Sequence, residues 1–289
     1  MKQIVIISGK GGTGKTTLTA SFASLAENKI MCDCDVDAAN LFILLNPRII
    51  SEEEIVTSKI ATIDETKCIK CGRCEEHCRF DAITNFKVDS MKCEGCGVCK
   101  IICPVDDAVC LQDSASGRIF TAETKYGPFF YAQLNPGSGN TGKLVTEIRK
   151  RAFNLALEKK SDLIIIDGAP GIGCPVIASV SGTDLALIIT EPTLSGEHDL
   201  IRVAKLTEHF KVKTFVCINK FDINPEITNR IEKICNEKKI PIVGKVPYAP
   251  VITKAMIAGK PIIEFIDNDI TKEIRNIWEN VKSGGNLYA

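Results

Sequence analysis

Cys68, Cys71, Cys74 and Cys78 are followed, 25 residues on, by Cys93, Cys96, Cys99 and Cys103, so the spacing C-x2-C-x2-C-x3-C occurs twice. Thiolates at these intervals are ligands for [4Fe–4S] clusters. Where two runs lie in tandem, the fourth cysteine of each ligates the cluster of the other. One expected ligand set is therefore Cys68, Cys71, Cys74 and Cys103, and the other is Cys93, Cys96, Cys99 and Cys78. Pro104 follows Cys103, as the pattern expects, while Arg79 stands where a second proline would be and removes no ligand. C-x2-C pairs also hold zinc, but duplication of the whole run, x3 tail included, favours the clusters. Such clusters can carry electrons or simply brace a small fold.

A second constellation opens the chain. Gly9-Lys10-Gly11-Gly12-Thr13-Gly14-Lys15-Thr16 fits the phosphate-loop pattern G-x4-G-K-S/T. Glycines let backbone N–H groups turn inward around phosphate oxygens, and the following helix adds its positive end. Gly11, Gly12, Thr13, Gly14 and Thr17 are candidates to cradle a nucleotide, with Lys15 on its outer phosphates and Thr16 on Mg²⁺. Asp33 and Asp35 follow a short apolar run, and Asp167 ends another; carboxylates at strand ends can reach a metal shell. Asp37 is a nearby rival to Asp35, and an acidic helix N-terminus would also place aspartates here.

The elements that must position these groups are legible from apolar patterning. Lys2–Ile7 reads as a strand and Lys15–Ala26 as a helix, with Ile30–Cys34 a second short strand. Residues 61–110 change character, being cysteine-dense with few long apolar periods. Beyond them Arg118–Thr124 and Phe129–Leu134 alternate around Tyr126-Gly127-Pro128, a hairpin pattern. Thr141–Glu158 has amphipathic helical spacing. Leu163–Ile166, Leu185–Thr190, Thr214–Ile218 and Pro241–Val246 are buried-type strands separated mostly by helices. This alternation predicts an α/β fold with a mostly parallel sheet covered by helices on both faces. Residues 1–60 and 111–289 would form it, interrupted by a small α+β insert at 61–110. Ligands of such sheets bind beyond the carboxyl ends of the strands, where each nucleotide motif falls.

Composition narrows the classes. Among 289 residues, 36 Lys and Arg balance 36 Asp and Glu, which gives no whole-molecule reason to bind nucleic acid. Met1–Ser8 lacks the charged head and long apolar core of a signal peptide. The 14 cysteines then read as reduced, metal-binding thiols of a cytoplasmic protein. No apolar run approaches the roughly 20 residues that span a bilayer. Asp269–Val281 has Ile270, Ile274, Ile277, Trp278 and Val281 at helical spacing with a polar face of mixed sign, which favours a docked core helix over one lying on a membrane.

The run Lys10-Gly11-Gly12-Thr13-Gly14-Lys15-Thr16 resembles the deviant Walker A box of the MinD/ParA superfamily of P-loop ATPases, relatives of the nitrogenase iron protein. The resemblance implies an ATP-sandwiched homodimer in which Lys10 reaches the partner's nucleotide. Asp33-Cys34-Asp35 with Asn40 resembles switch I, with Asp35 orienting the attacking water and Asp33 supporting Mg²⁺ through its hydration shell. Asp167-Gly168-Ala169-Pro170-Gly171 resembles Walker B and switch II. Asn219-Lys220-Phe221-Asp222 resembles the adenine-reading segment, and Val246-Pro247-Tyr248 a late loop lining the base pocket. With the cysteine runs, nearly the whole chain resembles superfamily members carrying an inserted two-cluster ferredoxin domain. That group implies a Mg-ATP-dependent dimeric switch coupling ATP turnover to electron transfer or to metal-cofactor assembly on a partner protein. The alternatives are a cluster carrier or scaffold with ATP-controlled release, and a positioning ATPase. Cys174, seven residues after Asp167, falls where the nitrogenase iron protein has a cluster-ligating cysteine.

Overall fold

The structure, a computed structural model, describes residues 1–135, 139 and 141–288. In chain order it begins β1 (Lys2–Ser8), α1 (Lys15–Leu25), β2 (Lys29–Asp33), α2 (Leu41–Leu45) and β3 (Arg48–Ile63). The cysteine-rich stretch holds the one-turn helices α3 (Arg73–Glu76) and α4 (Val98–Ile101) around a two-stranded ribbon, β4 (Ile83–Thr84) and β5 (Lys87–Val88). Then come β6 (Val109–Thr124), β7 (Gly127–Leu134), α5 (Thr141–Lys159), β8 (Leu163–Pro170), α6 (Cys174–Val180) and β9 (Leu185–Thr190). The chain finishes with α7 (Leu194–His209), β10 (Lys213–Asn219), α8 (Pro225–Glu237), β11 (Ile242–Val246), α9 (Pro250–Ile257), α10 (Ile262–Phe265) and α11 (Asp269–Gly285).

Nine strands form one sheet in the order β11-β10-β9-β1-β8-β2-β7-β6-β3. The seven from β11 to β7 are parallel, and β6 and β3 continue the sheet antiparallel. Strand alternation divides the core. Ile4, Ile6, Leu163 and Ile165 face one apolar cluster, while Val5, Ile7, Ile164 and Ile166 face the other. Both faces are thus buried, which is why the central strands read as continuous apolar runs rather than alternating ones. The sheet was expected to be mostly parallel and helix-covered, and it is.

The long strand β3 was not anticipated. It pairs with β6 from Arg48 opposite Glu123 to Ile63 opposite Val109, and three register shifts interrupt the ladder. Those shifts, and the exposed Glu52-Glu53-Glu54 run at the sheet edge, erase the period-two signal by which a strand is recognised. Charged residues on an edge strand also discourage pairing with another chain. Together β3 and β6 make a two-stranded arm, and residues 64–108 lie between its ends.

At the other end of the chain, α11 begins with a capping box in which Asn268 accepts from the Thr271 N–H and the Thr271 hydroxyl accepts from the Asn268 N–H. Its Ile274, Ile277, Trp278 and Val281 are buried against the core, with Trp278 packed on Phe22 of α1 at a ring separation of 5.1 Å. This is a docked helix. No helix among the described residues is long and apolar enough to cross a membrane. Trp278→Ala should cost about 3–5 kcal/mol of stability, read from urea unfolding; a loss under about 1 kcal/mol would mean α11 contributes little to the core.

Candidate functional site

The loop from Gly9 to Gly14 leaves β1 at its carboxyl end and turns into α1. Gly14 closes that turn at φ 91°, and a Cβ there would lie 2.3 Å from Asn219 Nδ2. Only glycine meets both conditions. No side chain caps α1, so its first N–H groups are free for an anion. They open on a cavity of about 780 Å³, in the usual range for small-molecule sites. Gly11, Gly12, Thr13, Gly14, Lys15, Thr16, Thr17, Asp35 and Asp37 all line it. The buried Thr13 hydroxyl lacks any hydrogen-bond partner among the described residues, which marks a place for a polar ligand atom.

Asp167, in the carboxyl-terminal half of β8, gathers the site. One carboxylate oxygen accepts from Lys15 Nζ at 3.0 Å and from the Thr19 hydroxyl at 3.0 Å; the other accepts from the Thr16 hydroxyl at 2.8 Å. Lys15 Nζ also lies 3.6 Å from Asp35. Burial works against the Lys15 charge, but Asp167, Asp33 and Asp35 outweigh it and hold its pKa above the ordinary lysine value. The carboxylates feel the converse. Burial, then the charge of Asp167, pushes Asp33 up to about 8 against the opposing pull of Lys15. Burial also raises Asp35, partly offset by Lys15. Three carboxylates around one ammonium leave a surplus of buried negative charge. The adjoining Thr16 hydroxyl and Asp167 carboxylate are hard oxygen donors that suit Mg²⁺.

Asp33 has further work. Its Oδ1 accepts from the Asp35 N–H at 3.0 Å, and its Oδ2 from the N–H groups of Asn40 and Leu41 at 3.2 and 3.1 Å. It therefore shapes the turn from β2 into α2 that presents Asp35 and Asp37 to the cavity.

Two residues expected at the base pocket lie off the cavity wall. Asn219 is not on the cavity wall. Its Nδ2 donates to the Thr13 carbonyl at 2.7 Å and its Oδ1 accepts from the Lys220 N–H, so the amide expected to meet a purine holds the phosphate loop here. Pro247 is also absent from the wall, because its loop turns toward Asp222, whose carboxylate accepts from the Tyr248 N–H. In their place Thr253, Met256 and Ile257 of α9, with Ile43 and Leu44 of α2, supply apolar lining. No motif marks these residues. Lys10, expected to reach across a dimer, is held within its own protomer. Its Nζ lies 2.6 Å from Glu191 Oε1, 3.1 Å from the Thr193 hydroxyl and 3.0 Å from the Ser195 hydroxyl.

The cysteines form a second locus. Cys68, Cys71, Cys74 and Cys103 line one small cavity at the arm's end, beside Ile63 and Val109. Cys78, Cys93, Cys96 and Cys99 line another, beside Ala61. Three sulfurs accept backbone N–H groups at 3.4 Å: Cys93 from Ala61, Cys68 from Lys70 and Cys78 from Ala82. Among the described residues no three His, Cys, Asp or Glu side chains converge closely enough to hold a single metal ion. Of the remaining cysteines, Cys217 and Cys235 are buried, and burial raises their thiol pKa to about 12 and about 11, so they are inert core residues. Cys174 is exposed at the first turn of α6.

Comparison with known proteins places this geometry. The model for the CobQ/CobB/MinD/ParA nucleotide binding domain matches residues 4–262. The chain belongs to that family. An uncharacterized protein of Methanocaldococcus jannaschii is 35% identical over 283 residues, covering 97% of this chain and 96% of that one. An uncharacterized ATP-binding protein of the same organism is 23% identical over 288 residues, covering 96% and 98%. Among solved structures, the septum site-determining protein MinD complexed with Mg-ADP from Pyrococcus horikoshii OT3 superposes with a TM-score of 0.60 at 17% identity, covering 100% of this chain and 98% of that one. The MinD/ParA nucleotide-binding fold is thus common to all of them. Asn219→Ala would leave the Thr13 carbonyl without its donor. The expected loss is about 1–2 kcal/mol, or Mg-ADP binding weakened about 5- to 30-fold by calorimetry, although Asn219 is not on the cavity wall.

Proposed function

We propose that this chain is a Mg-ATP-dependent dimeric switch whose inserted segment, residues 61–110, carries two [4Fe–4S] clusters that ATP turnover couples to a redox or metal-cofactor partner protein. The carrying observation is the grouping of the cysteines. Three from each run meet the fourth of the other, four thiols to a cavity. A single-ion centre would need its ligands on one point, and no such group occurs among the described residues. The N–H groups aimed at sulfur are the kind of contact that tunes cluster thiolates. When bound, the clusters would supply one-electron transfer.

The chain's own residues account for the nucleotide chemistry. Lys15 would leave Asp167 for the outer phosphates, and the Thr16 hydroxyl would turn from Asp167 to Mg²⁺. Asp35 would orient a water against the γ-phosphorus, in line with the bond to the bridging oxygen. A new P–O bond forms as that bond breaks, releasing ADP and phosphate, and positioning rather than covalent catalysis supplies the rate. Lys10 of the partner subunit would add positive charge where negative charge builds up on the phosphate oxygens.

The start of α5 is suited to transmit closure. A Cβ on Gly142 would lie 3.3 Å from Cys174 Cβ, at the helix that follows Asp167 and Pro170. One residue on, Lys143 Nζ donates to the Thr57 carbonyl of the arm at 3.4 Å. A Cβ on Gly139 would meet Glu94, next to Cys93, at 3.0 Å. Motion of the Asp167 loop therefore has a packed route to the cysteine segment. Exposed Cys174 on this route supports the second reading, a cluster carrier with ATP-controlled release.

Anaerobically purified protein should hold about eight irons and as many acid-labile sulfides per chain, and Cys93→Ser should remove about half. Stoichiometric zinc, or fewer than about two irons, would overturn the cluster assignment. Lys15→Ala should abolish Mg-dependent ATP hydrolysis; hydrolysis at the wild-type rate would overturn the nucleotide chemistry. Loss of intact clusters to an apo-acceptor on adding ATP would favour the carrier.

A further inference from the structure

Glu191 follows β9 at the rim of the nucleotide cavity, in no motif. Its carboxylate joins two lysines that touch the phosphate loop. Oε1 meets Lys10 Nζ at 2.6 Å, and Oε2 accepts from Lys220 Nζ at 2.9 Å. Lys220 Nζ also donates to the Gly12 carbonyl at 3.1 Å. Burial alone would raise the Glu191 pKa, yet the hydrogen bonds from Lys10 and Lys220 keep it below the ordinary glutamate value.

An ammonium has three donors. For Lys10 all three are spent inside its own protomer, on Glu191, Thr193 and Ser195. A lysine so satisfied has nothing left for a phosphate. To serve a nucleotide in a second subunit it must leave one carboxylate and two hydroxyls. Of these the carboxylate is the strongest partner, since bonds between ionised groups are about twice as strong as neutral ones.

We infer that Glu191 is a positioning residue that parks Lys10 in the lone protomer and sets the threshold at which ATP-bound subunits pair. The inference rests on the dimeric-switch reading above. Because Glu191 acts through Lys10, which serves the partner's site, its effect falls on dimer formation rather than on nucleotide capture by one chain. Lys220 keeps its bond to Gly12 when the carboxylate is lost, so the loop retains a hold on that side.

The test compares wild type, Glu191→Gln, Ser195→Ala and Lys10→Ala, with Mg²⁺ and a non-hydrolysable ATP analogue, by light scattering against protein concentration. A fluorescent ADP reports nucleotide binding by the single chain. Glu191→Gln should lower the dimer dissociation constant about fivefold, with ADP affinity within about twofold of wild type. Ser195→Ala should shift it the same way by about twofold, which keeps the test alive if the glutamine variant folds poorly. Adding Lys10→Ala to Glu191→Gln should erase the gain. A dimer constant that is unchanged or weaker in both single variants overturns the latch. So does parallel weakening of ADP binding and dimerisation, the mark of a residue that only braces the loop. A wild-type chain that stays monomeric with the analogue, while Glu191→Gln dimerises, supports the latch; failure of every variant to dimerise overturns the switch as well.

Discussion

The buried contact between Asp167 and Lys15 is the constraint on which the rest of the structure turns. A salt bridge taken out of water seldom gains more from attraction than it loses in desolvation. This one sits where three segments meet. Asp167 of β8 holds Lys15, Thr16 and Thr19 of α1 through its side chain, and accepts the Cys34 N–H from the end of β2 through its carbonyl at 2.7 Å. Phosphate loop, first acidic turn and second acidic turn thus share one carboxylate residue. A ligand that draws Lys15 and Thr16 away must alter what Asp167 does for its own loop. The energetic expense of burial is better understood as the cost of joining these segments at one point than as a contribution to stability.

The helix after β8 and the cysteine-bearing arm both pack on α5. Gly142 sits against Cys174 and Lys143 reaches Thr57, so α5 contacts α6 and the arm within two residues. The arm itself is broken by register shifts around Ile55, Val56 and Ser58. There Thr57 and Ser58 both meet the buried hydroxyl of Ser116 in place of a regular ladder. Bulges bend strands, so the arm has its point of compliance where α5 touches it.

What was legible in the sequence follows the range of the interaction. Strands such as Leu185–Thr190 and the loop Gly9–Thr16 are written in contiguous residues, so their places could be read directly. The cysteine pairing was legible because a fixed spacing encodes it. Asn219 shows the limit: its position after β10 was readable, but whether its amide faces a purine or the Thr13 carbonyl depends on a backbone 206 residues away. Strand β3 was lost because its charges and bulges suppress the period that betrays a strand. Glu191 was lost for a different reason. Its partner Lys10 is far off in sequence, and an isolated glutamate after a strand has no signature. The apolar wall of Met256 and Ile257 could not be told from an ordinary helix surface.

The two lysines of the phosphate loop show a common logic. Each is met, in the protein alone, by carboxylates of its own chain: Lys15 by Asp167 and Asp35, Lys10 by Glu191. A phosphate that takes either one replaces one oxyanion by another, so the local field around the ammonium changes less than if a bare cation were being neutralised. The cation stays charged and directed without a ligand, and binding becomes an exchange between anions rather than a desolvation from water. The exchange differs at the two sites because Lys15 is buried and Lys10 is about one-third exposed. The Lys10 contact is therefore screened by solvent, whereas Lys15 is tied to carboxylates buried with it.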